Sequence, residues 1–253
     1  MQAKEFTGQT ILITGASSGI GLATAQALIQ QGARRVYITG RNQKKLEDAQ
    51  TQLGDTAIAV VADVSQIEQI NQLKAKIAAN QDQLDLIFAN AGIAENNTLG
   101  TSTEQDFSNT FDSNVKGVFF TVQNLLPLLK DGGNIILNAS VAANKGMPNL
   151  SLYSASKAAV RSFARSWCND LKHRKIRVNT ISPGPTLTPI LEHGLKMSSQ
   201  QISEFDQYLQ TVAPAGRLGE AKEIANAVLF LASSSASYIN GIELCVDGGF
   251  TQI

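Results

Sequence analysis

Short runs of adjacent apolar residues alternate along this chain with longer segments in which apolar residues recur three and four positions apart. The runs at 10–14, 35–39, 57–61, 84–89, 134–138, 176–181 and 242–246 read as seven strands. They are nearly continuous in apolar character, as strands covered on both faces of a parallel sheet must be. Between the first two, Ile20, Ala23, Ala27 and Leu28 recur at helical spacing. Later, Ile67, Ile70, Leu73 and Ile77 mark another helix, whose start at Ser65-Gln66-Ile67-Glu68 reads as a capping box. Strand and helix alternate to the end with no linker or low-complexity tract, so 1–253 reads as one domain. Right-handed crossovers make that domain α/β, a Rossmann-type doubly wound sheet of about seven strands with helices on both faces. Ligands then bind beyond the carboxyl ends of the strands.

Composition narrows the functional classes. The chain is 43% hydrophobic and 17% charged over 253 residues, an ordinary globule able to bury its own core. Its 21 basic and 21 acidic residues cancel, which removes the electrostatic case for nucleic acid or an anionic membrane as partner. The basic run at 172–177 is short and reads as a solvated helix end. Cys168 and Cys245 fall in no metal-ligand spacing, so buried free thiols and no metal site are expected. No stretch approaches the roughly 18 apolar residues of a membrane span. Met1-Gln2-Ala3-Lys4-Glu5 leads into no apolar run of leader length, and the expected location is the cytoplasm.

The candidate chemistry begins at Thr14-Gly15-Ala16-Ser17-Ser18-Gly19-Ile20-Gly21, which joins the first strand to the first helix. Glycines let backbone approach a ligand, and a helix N-terminus offers unpaired N–H groups to a pyrophosphate. The spacing is T-G-x-x-x-G-x-G rather than G-x-G-x-x-G, and glycines in such a turn can also be purely structural. The same loop matches G-x-S-x-G with Ser17 as a hydrolase nucleophile. A hydrolase would need an acid and then a histidine after it. Only His173 and His193 exist, neither follows a late strand, and both read as surface residues.

Further motifs follow in one order: Asn90-Ala91-Gly92, Ser140, Tyr153-Ser154-Ala155-Ser156-Lys157, Pro183-Gly184, Gly216-Arg217-Leu218-Gly219 and Asp247-Gly248-Gly249. From about Thr10 to Gly249 the set resembles the single-domain short-chain dehydrogenase/reductase family. Two departures are small: Ala89-Asn90 stands where that family often has two asparagines, and Ala139-Ser140 where it often has two serines.

Tyr153 and Lys157 are four apart and share a helix face. A phenol titrates near 10, and an ammonium beside it favours phenolate, so Tyr153 can exchange a proton with a carbonyl or alcohol. Ser140 would bind the substrate oxygen and stabilise charge there. The resemblance adds Asn114, within a helical stretch at 103–129, as anchor of a water leading to Lys157, completing an Asn-Ser-Tyr-Lys tetrad. It also implies that Gly15, Ser17, Ser18, Gly19, Ile20 and Gly21 cradle a nicotinamide dinucleotide. Asp63 and Val64 match adenine-contacting positions, Asn90 and Gly92 line the cleft, and Lys157 binds ribose hydroxyls. Pro183, Gly184, Thr186 and Thr188 pack around the nicotinamide, 186–213 forms a substrate lid, and the assembly is a homo-oligomer, in particular a tetramer.

The acidic residue that selects NAD(H) at the end of the second strand is replaced by Gly40. Arg41 follows, a guanidinium suited to a 2′-phosphate, with Asn42 as a further donor, so NADP(H) is expected over NAD(H). The expected activity is oxidoreduction of a small carbonyl or secondary-alcohol compound. A non-catalytic nucleotide-binding protein and the Ser17 hydrolase are the alternatives.

Overall fold

The computed structural model describes residues 4–253; residues 1–3 of the segment read for a leader lie outside the described residues. The chain runs β1 (Thr10–Ile13), α1 (Gly19–Gln30), β2 (Arg35–Gly40), α2 (Gln43–Leu53), β3 (Ala57–Val61), α3 (Ile67–Ala79) and β4 (Leu84–Ala89). It continues through α4 (Glu104–Phe111), a π-helical turn (Asp112–Lys116), α5 (Gly117–Leu125), β5 (Leu129–Asn138), α6 (Ser151–Asp170) and β6 (Arg177–Pro183). The short β7 (Thr186–Leu187), α7 (Pro189–His193), α8 (Ser199–Val212), β8 (Gly219–Glu220), α9 (Ala221–Ala232) and β9 (Glu243–Val246) complete it.

Seven strands form one parallel sheet in the order β3-β2-β1-β4-β5-β6-β9. The side-chain period of two sorts each strand between two cores. In β1, Ile11 and Ile13 join Leu28 of α1, Leu46 of α2 and Val228 of α9 on one face. Leu12 joins Ile77 of α3, Val122 of α5 and Val160 of α6 on the other. The sheet is thus doubly wound, and its strand order reverses between β1 and β4, where the two carboxyl ends flank a crevice. At the opposite end Asp82 is buried and accepts bonds from Tyr37 Oη, Arg34 and Arg35, each at 2.6 Å, which ties the amino ends of the strands together.

Several expectations need correction. Ser65 does not cap α3: Gln66 is the N-cap residue, and the Ser65 N–H is drawn to Asp63 Oδ1 at 2.9 Å. The stretch at 103–129 is not one helix but two, divided by the π-helical turn that holds Asn114. Both cysteines are half-buried rather than buried; Cys168 points along the rim of α6 towards the Arg165 carbonyl, 3.2 Å away. Within the basic run, Arg174 turns inward to the Leu126 and Leu129 carbonyls and pairs with Asp131 at 2.6 Å, pinning the end of α6 to the start of β5. Residues 186–213 hold the helices α7 and α8, which pack Leu191 and Leu209 against Val141 and Phe250 in a third, smaller apolar cluster. Among the described residues no helix is long and apolar enough to cross a membrane, and no group of side chains is arranged to hold a metal ion.

Candidate active site

The glycine-rich loop leaves β1 and turns at once into α1. Gly15 has φ +65°, and a Cβ on it would stand 2.7 Å from the Ala91 backbone. A Cβ on Gly21 would stand 2.4 Å from the Gly15 carbonyl oxygen, so both positions demand glycine for close backbone contact. The N-cap residue of α1, Ser18, has extended backbone and no side-chain cap, which leaves the first-turn N–H groups unpaired by side chains. The loop is tied down from β4. Thr14 Oγ1 accepts from the Asn90 and Ala91 N–H groups at 3.0 Å, while Asn90 Nδ2 donates to the Thr14 and Gly15 carbonyls at 2.9 and 3.0 Å.

Beneath the crevice lie the polar groups of α6 and the π-helical turn. Asn114 is fully buried, and its side chain leaves its own helix altogether. Its Oδ1 accepts from Ile93 N at 2.8 Å, and its Nδ2 donates to the Ile93 carbonyl and to Ser156 Oγ, each at 2.9 Å. The residue therefore locks the loop after β4 onto α6, and the widened turn is what aims it there. Lys157 is 4% exposed and donates from Nζ to the Asn138 carbonyl at 2.7 Å. Asn138 in turn donates from Nδ2 to Asn90 Oδ1 at 2.8 Å, so one chain of bonds runs from the lysine to the glycine loop.

Burial pushes the Lys157 ammonium down to about 8. Burial also raises the Tyr153 phenol above its ordinary value, and the Ser140 hydroxyl beside it opposes that rise. The Lys157 Nζ lies 5.8 Å from the Tyr153 ring centre and donates to the Asn138 carbonyl. Ser140 N-caps the turn at Val141–Ala143, accepting from Ala142 N at 3.2 Å. Behind that turn Glu243 accepts from Ser182 Oγ at 2.6 Å and Asn144 Nδ2 at 2.8 Å, and pairs with Arg161 at 3.2 Å.

These groups open into one cleft of about 470 Å³. Gly15, Ser17, Ser18, Gly19, Ile20, Arg41, Asp63, Val64, Asn90 and Gly92 line it from β1 to β4, and Ser140, Tyr153, Lys157, Pro183, Gly184, Thr186 and Thr188 from β5 onward. Three of the expected residues do not line it. Gly21 is tucked under Gly15, Asn114 is buried behind the floor, and Asn42 caps α2 by accepting from Lys45 N at 2.9 Å. Asn138 and Ile93 were missed; only the position of Asn138, a polar residue ending an apolar strand, signals it in the sequence. Ser17 bonds no histidine among the described residues, and His173 and His193 are both exposed, so the hydrolase triad is not assembled.

The donor set fits a dinucleotide. An uncapped helix end with a cradle closed to side chains suits a pyrophosphate, and a buried lysine sits beside a phenol at the far end. Exposed Arg41, without an ion-pair partner among the described residues, stands at the near end.

Comparison with known proteins gives matches over nearly the whole chain. Residues 15–251 match a protein-family model described as enoyl-(acyl carrier protein) reductase. An oxidoreductase of Sarocladium schorii, asL5, is 39% identical over 257 residues, covering 99% of this chain and 98% of its own. Among solved structures, a short-chain dehydrogenase/reductase of the glucose/ribitol dehydrogenase type from Brucella melitensis superposes with a TM-score of 0.91 at 30% identity, over 97% of this chain and 98% of the other. A 3-ketoacyl-(acyl-carrier-protein) reductase of the same organism, solved with NADH, gives 0.87 at 31% identity, over 97% and 99%.

Proposed function

The chain belongs to the short-chain dehydrogenase/reductase family and is an oxidoreductase, and from that premise we propose that it moves a hydride between NADP(H) and a carbonyl or secondary-alcohol carbon, with Tyr153 as the acid/base. The observation that carries this reading is the convergence of Ser140, Tyr153 and buried Lys157 on the floor of the cleft that also contains the uncapped start of α1.

When bound along this cleft, a reduced nicotinamide cofactor would supply the hydride, two electrons, for the carbonyl carbon. The chain's own residues do the rest. Tyr153 gives its phenolic proton to the carbonyl oxygen, or takes it back in the reverse direction. Ser140 donates a hydrogen bond to the same oxygen and stabilises the charge that develops there. Lys157 serves the ribose hydroxyls and, as an ammonium, restores the proton to Tyr153. Asn114 holds the loop and α6 in register and anchors the water that leads to Lys157. Gly15, Ser17, Ser18, Gly19 and Ile20 take the pyrophosphate; Asp63 and Val64 take the adenine; Pro183, Gly184, Thr186 and Thr188 surround the nicotinamide. The whole chain acts as one catalytic domain, with α7 and α8 as its substrate lid.

NADP(H) is preferred because Gly40 leaves no carboxylate to repel a 2′-phosphate and Arg41 stands free at that end of the cleft. A charge-assisted bond of this kind contributes about 1.5–3 kcal/mol, roughly ten- to hundredfold in affinity. Steady-state kinetics with both cofactors test it. Arg41→Ala raises KM for NADPH about tenfold or more and leaves KM for NADH nearly unchanged. Gly40→Asp reverses the preference; a Cβ there stands 3.2 Å from Ser17 Oγ, which shifts by a few tenths of an ångström to admit it. Equal or better kcat/KM with NADH in the wild type removes Arg41 from the role.

A further inference from the structure

Beyond the nicotinamide end, one part of the cleft, the chamber, is lined from three separate stretches. Val141, Met147 and Leu150 stand on the side of the Ser140 turn, and Ile190, Leu195 and Phe205 on the side of α7 and α8. Val141 and Leu150 are buried, and Phe205 packs into the third apolar cluster with Leu191 and Leu209. Among the described residues the cleft as a whole has one arginine and one lysine on its lining, Arg41 at the adenosine end and Lys157 on the floor. The chamber has neither of its own. Its titratable groups are Glu95 and His193, both exposed at the rim.

The charge around the mouth points the same way. The lid segment 186–213 carries three carboxylates, Glu192, Glu204 and Asp206, against one lysine, Lys196. That lysine is turned back to the His193 carbonyl at 2.7 Å. On the opposite lip Lys145 lies over the Phe250 ring, 4.6 Å from its centre, and reaches the Phe250 carbonyl. The loop from Ala94 to Thr103 adds Glu95 and no basic residue.

We infer that the substrate is a free, uncharged and largely apolar carbonyl compound, and not a carboxylate, a coenzyme-A thioester or an acyl group presented on an acidic carrier protein. This rests on the proposed activity and deepens it. A carboxylate drawn into the chamber loses its water and finds no cation there other than Lys157, which the reaction itself uses. A polyphosphate or an acidic carrier finds, besides Arg41 and Lys157, no lysine or arginine on the cleft lining among the described residues, and a lid segment with more carboxylates than lysines, where docking such partners calls for the opposite charge. An apolar ring or chain replaces water against six hydrophobic side chains with no charge left unpaired.

The test uses one matched pair, phenylacetone against phenylpyruvate, which differ in a methyl and a carboxylate, and sets a decalone, as a neutral bicyclic ketone, against acetoacetyl-CoA and the acetoacetyl thioester of an acyl carrier protein. Each is offered to the full-length enzyme with NADPH and with NADH. Titration calorimetry of each compound into the enzyme with oxidised cofactor is run alongside. The expected result is kcat/KM at least tenfold higher for each neutral ketone than for its charged counterpart, with binding in the same order. Leu195→Lys narrows the phenylacetone–phenylpyruvate gap at least fivefold by placing a cation in the wall. Equal or better turnover or binding of the charged compounds overturns the inference. Silence of every compound in the turnover assay overturns the proposed activity instead, and calorimetry alone then decides the inference: neutral compounds binding more tightly sustains it, and their failing to do so overturns it.

Discussion

Lys157 shows how the site opposes the stability of the fold at a single residue. Its ammonium is buried and pushed down to about 8 by desolvation, with one carbonyl as its hydrogen-bond partner. The unfolded chain keeps the ordinary value of 10.5, so between about 8 and 10.5 the unfolded state binds more protons and stability rises with pH. Below about 8 the full penalty applies, on the order of 3 kcal/mol before the lost bond to Asn138 is counted. Lys157→Met therefore abolishes turnover yet raises the denaturation midpoint at pH 7, and the gain shrinks as pH approaches 10. Urea titrations at both pH values check this, and a variant less stable than wild type at pH 7 contradicts it. At this scale Tyr153, Lys157 and Ser140 were legible because their offsets are fixed by one helix turn and one strand-to-helix loop. Asn138 and Ile93 were not, because their importance arises only where strand ends far apart in sequence meet. Asn42 has a second task that its position does not announce: its Oδ1 caps α2, and its Nδ2 is the group left to donate to a ligand.

Elements were read more reliably than residues, because a buried parallel strand needs an unbroken apolar run and a sheet-covering helix needs a stripe. All seven strands of the sheet lie where those runs stand, with ends moved by a few residues; β5 extends back to Leu129 through a register shift between Leu84 and Leu86. The apolar stripe does not mark the π-helical turn; the sequence signal there is Asn114 itself, a residue poorly suited to a helix interior, whose side chain can hold the backbone locally open. The segment at 186–213 reads weakly because its helices face a small cluster rather than the main cores. The glycine loop was read as a phosphate cradle or a structural turn, and a substitution separates the two. Gly21→Ala forces a Cβ to 2.4 Å from the Gly15 carbonyl and 2.9 Å from the Ala16 backbone, neither of which can rotate away. Overpacking of this kind costs about 1–3 kcal/mol. The expected result is a cofactor dissociation constant raised at least tenfold by calorimetry, alongside a lowered denaturation midpoint. Loss of stability with unchanged cofactor affinity identifies the loop as structural only.

For the whole molecule, α4, α5 and α6 carry a set of aromatic side chains, one of them exposed and the rest partly buried. Phe107 and Phe111 stack with centres 4.3 Å apart, and Phe107 is 49% exposed. Phe163 and Trp167 stack at 4.8 Å, with Phe119 set edge-on against Phe163 at 5.8 Å. Homo-oligomers close by point-group symmetry, and a homotetramer with this face as a contact is the proposed state. Multi-angle light scattering at micromolar concentration reads about four times the mass of the 27.0 kDa chain. A monomer removes the assembly from the account, and Trp167→Glu lowers the mass if this face is the contact.

The central claim is hydride transfer with Tyr153 as the proton donor, and isotope transfer addresses it most directly. NADPH dideuterated at the nicotinamide C4 is incubated with the enzyme and phenylacetone, and the alcohol is analysed by mass spectrometry and proton NMR. The account predicts one deuterium on the carbinol carbon and none elsewhere. It predicts that Tyr153→Phe binds NADPH with nearly wild-type affinity but loses turnover. An alcohol formed without deuterium at that carbon contradicts the claim. So does a Tyr153→Phe enzyme that keeps a tenth or more of the wild-type kcat, since that leaves no more than about 1.4 kcal/mol of the barrier to the phenol.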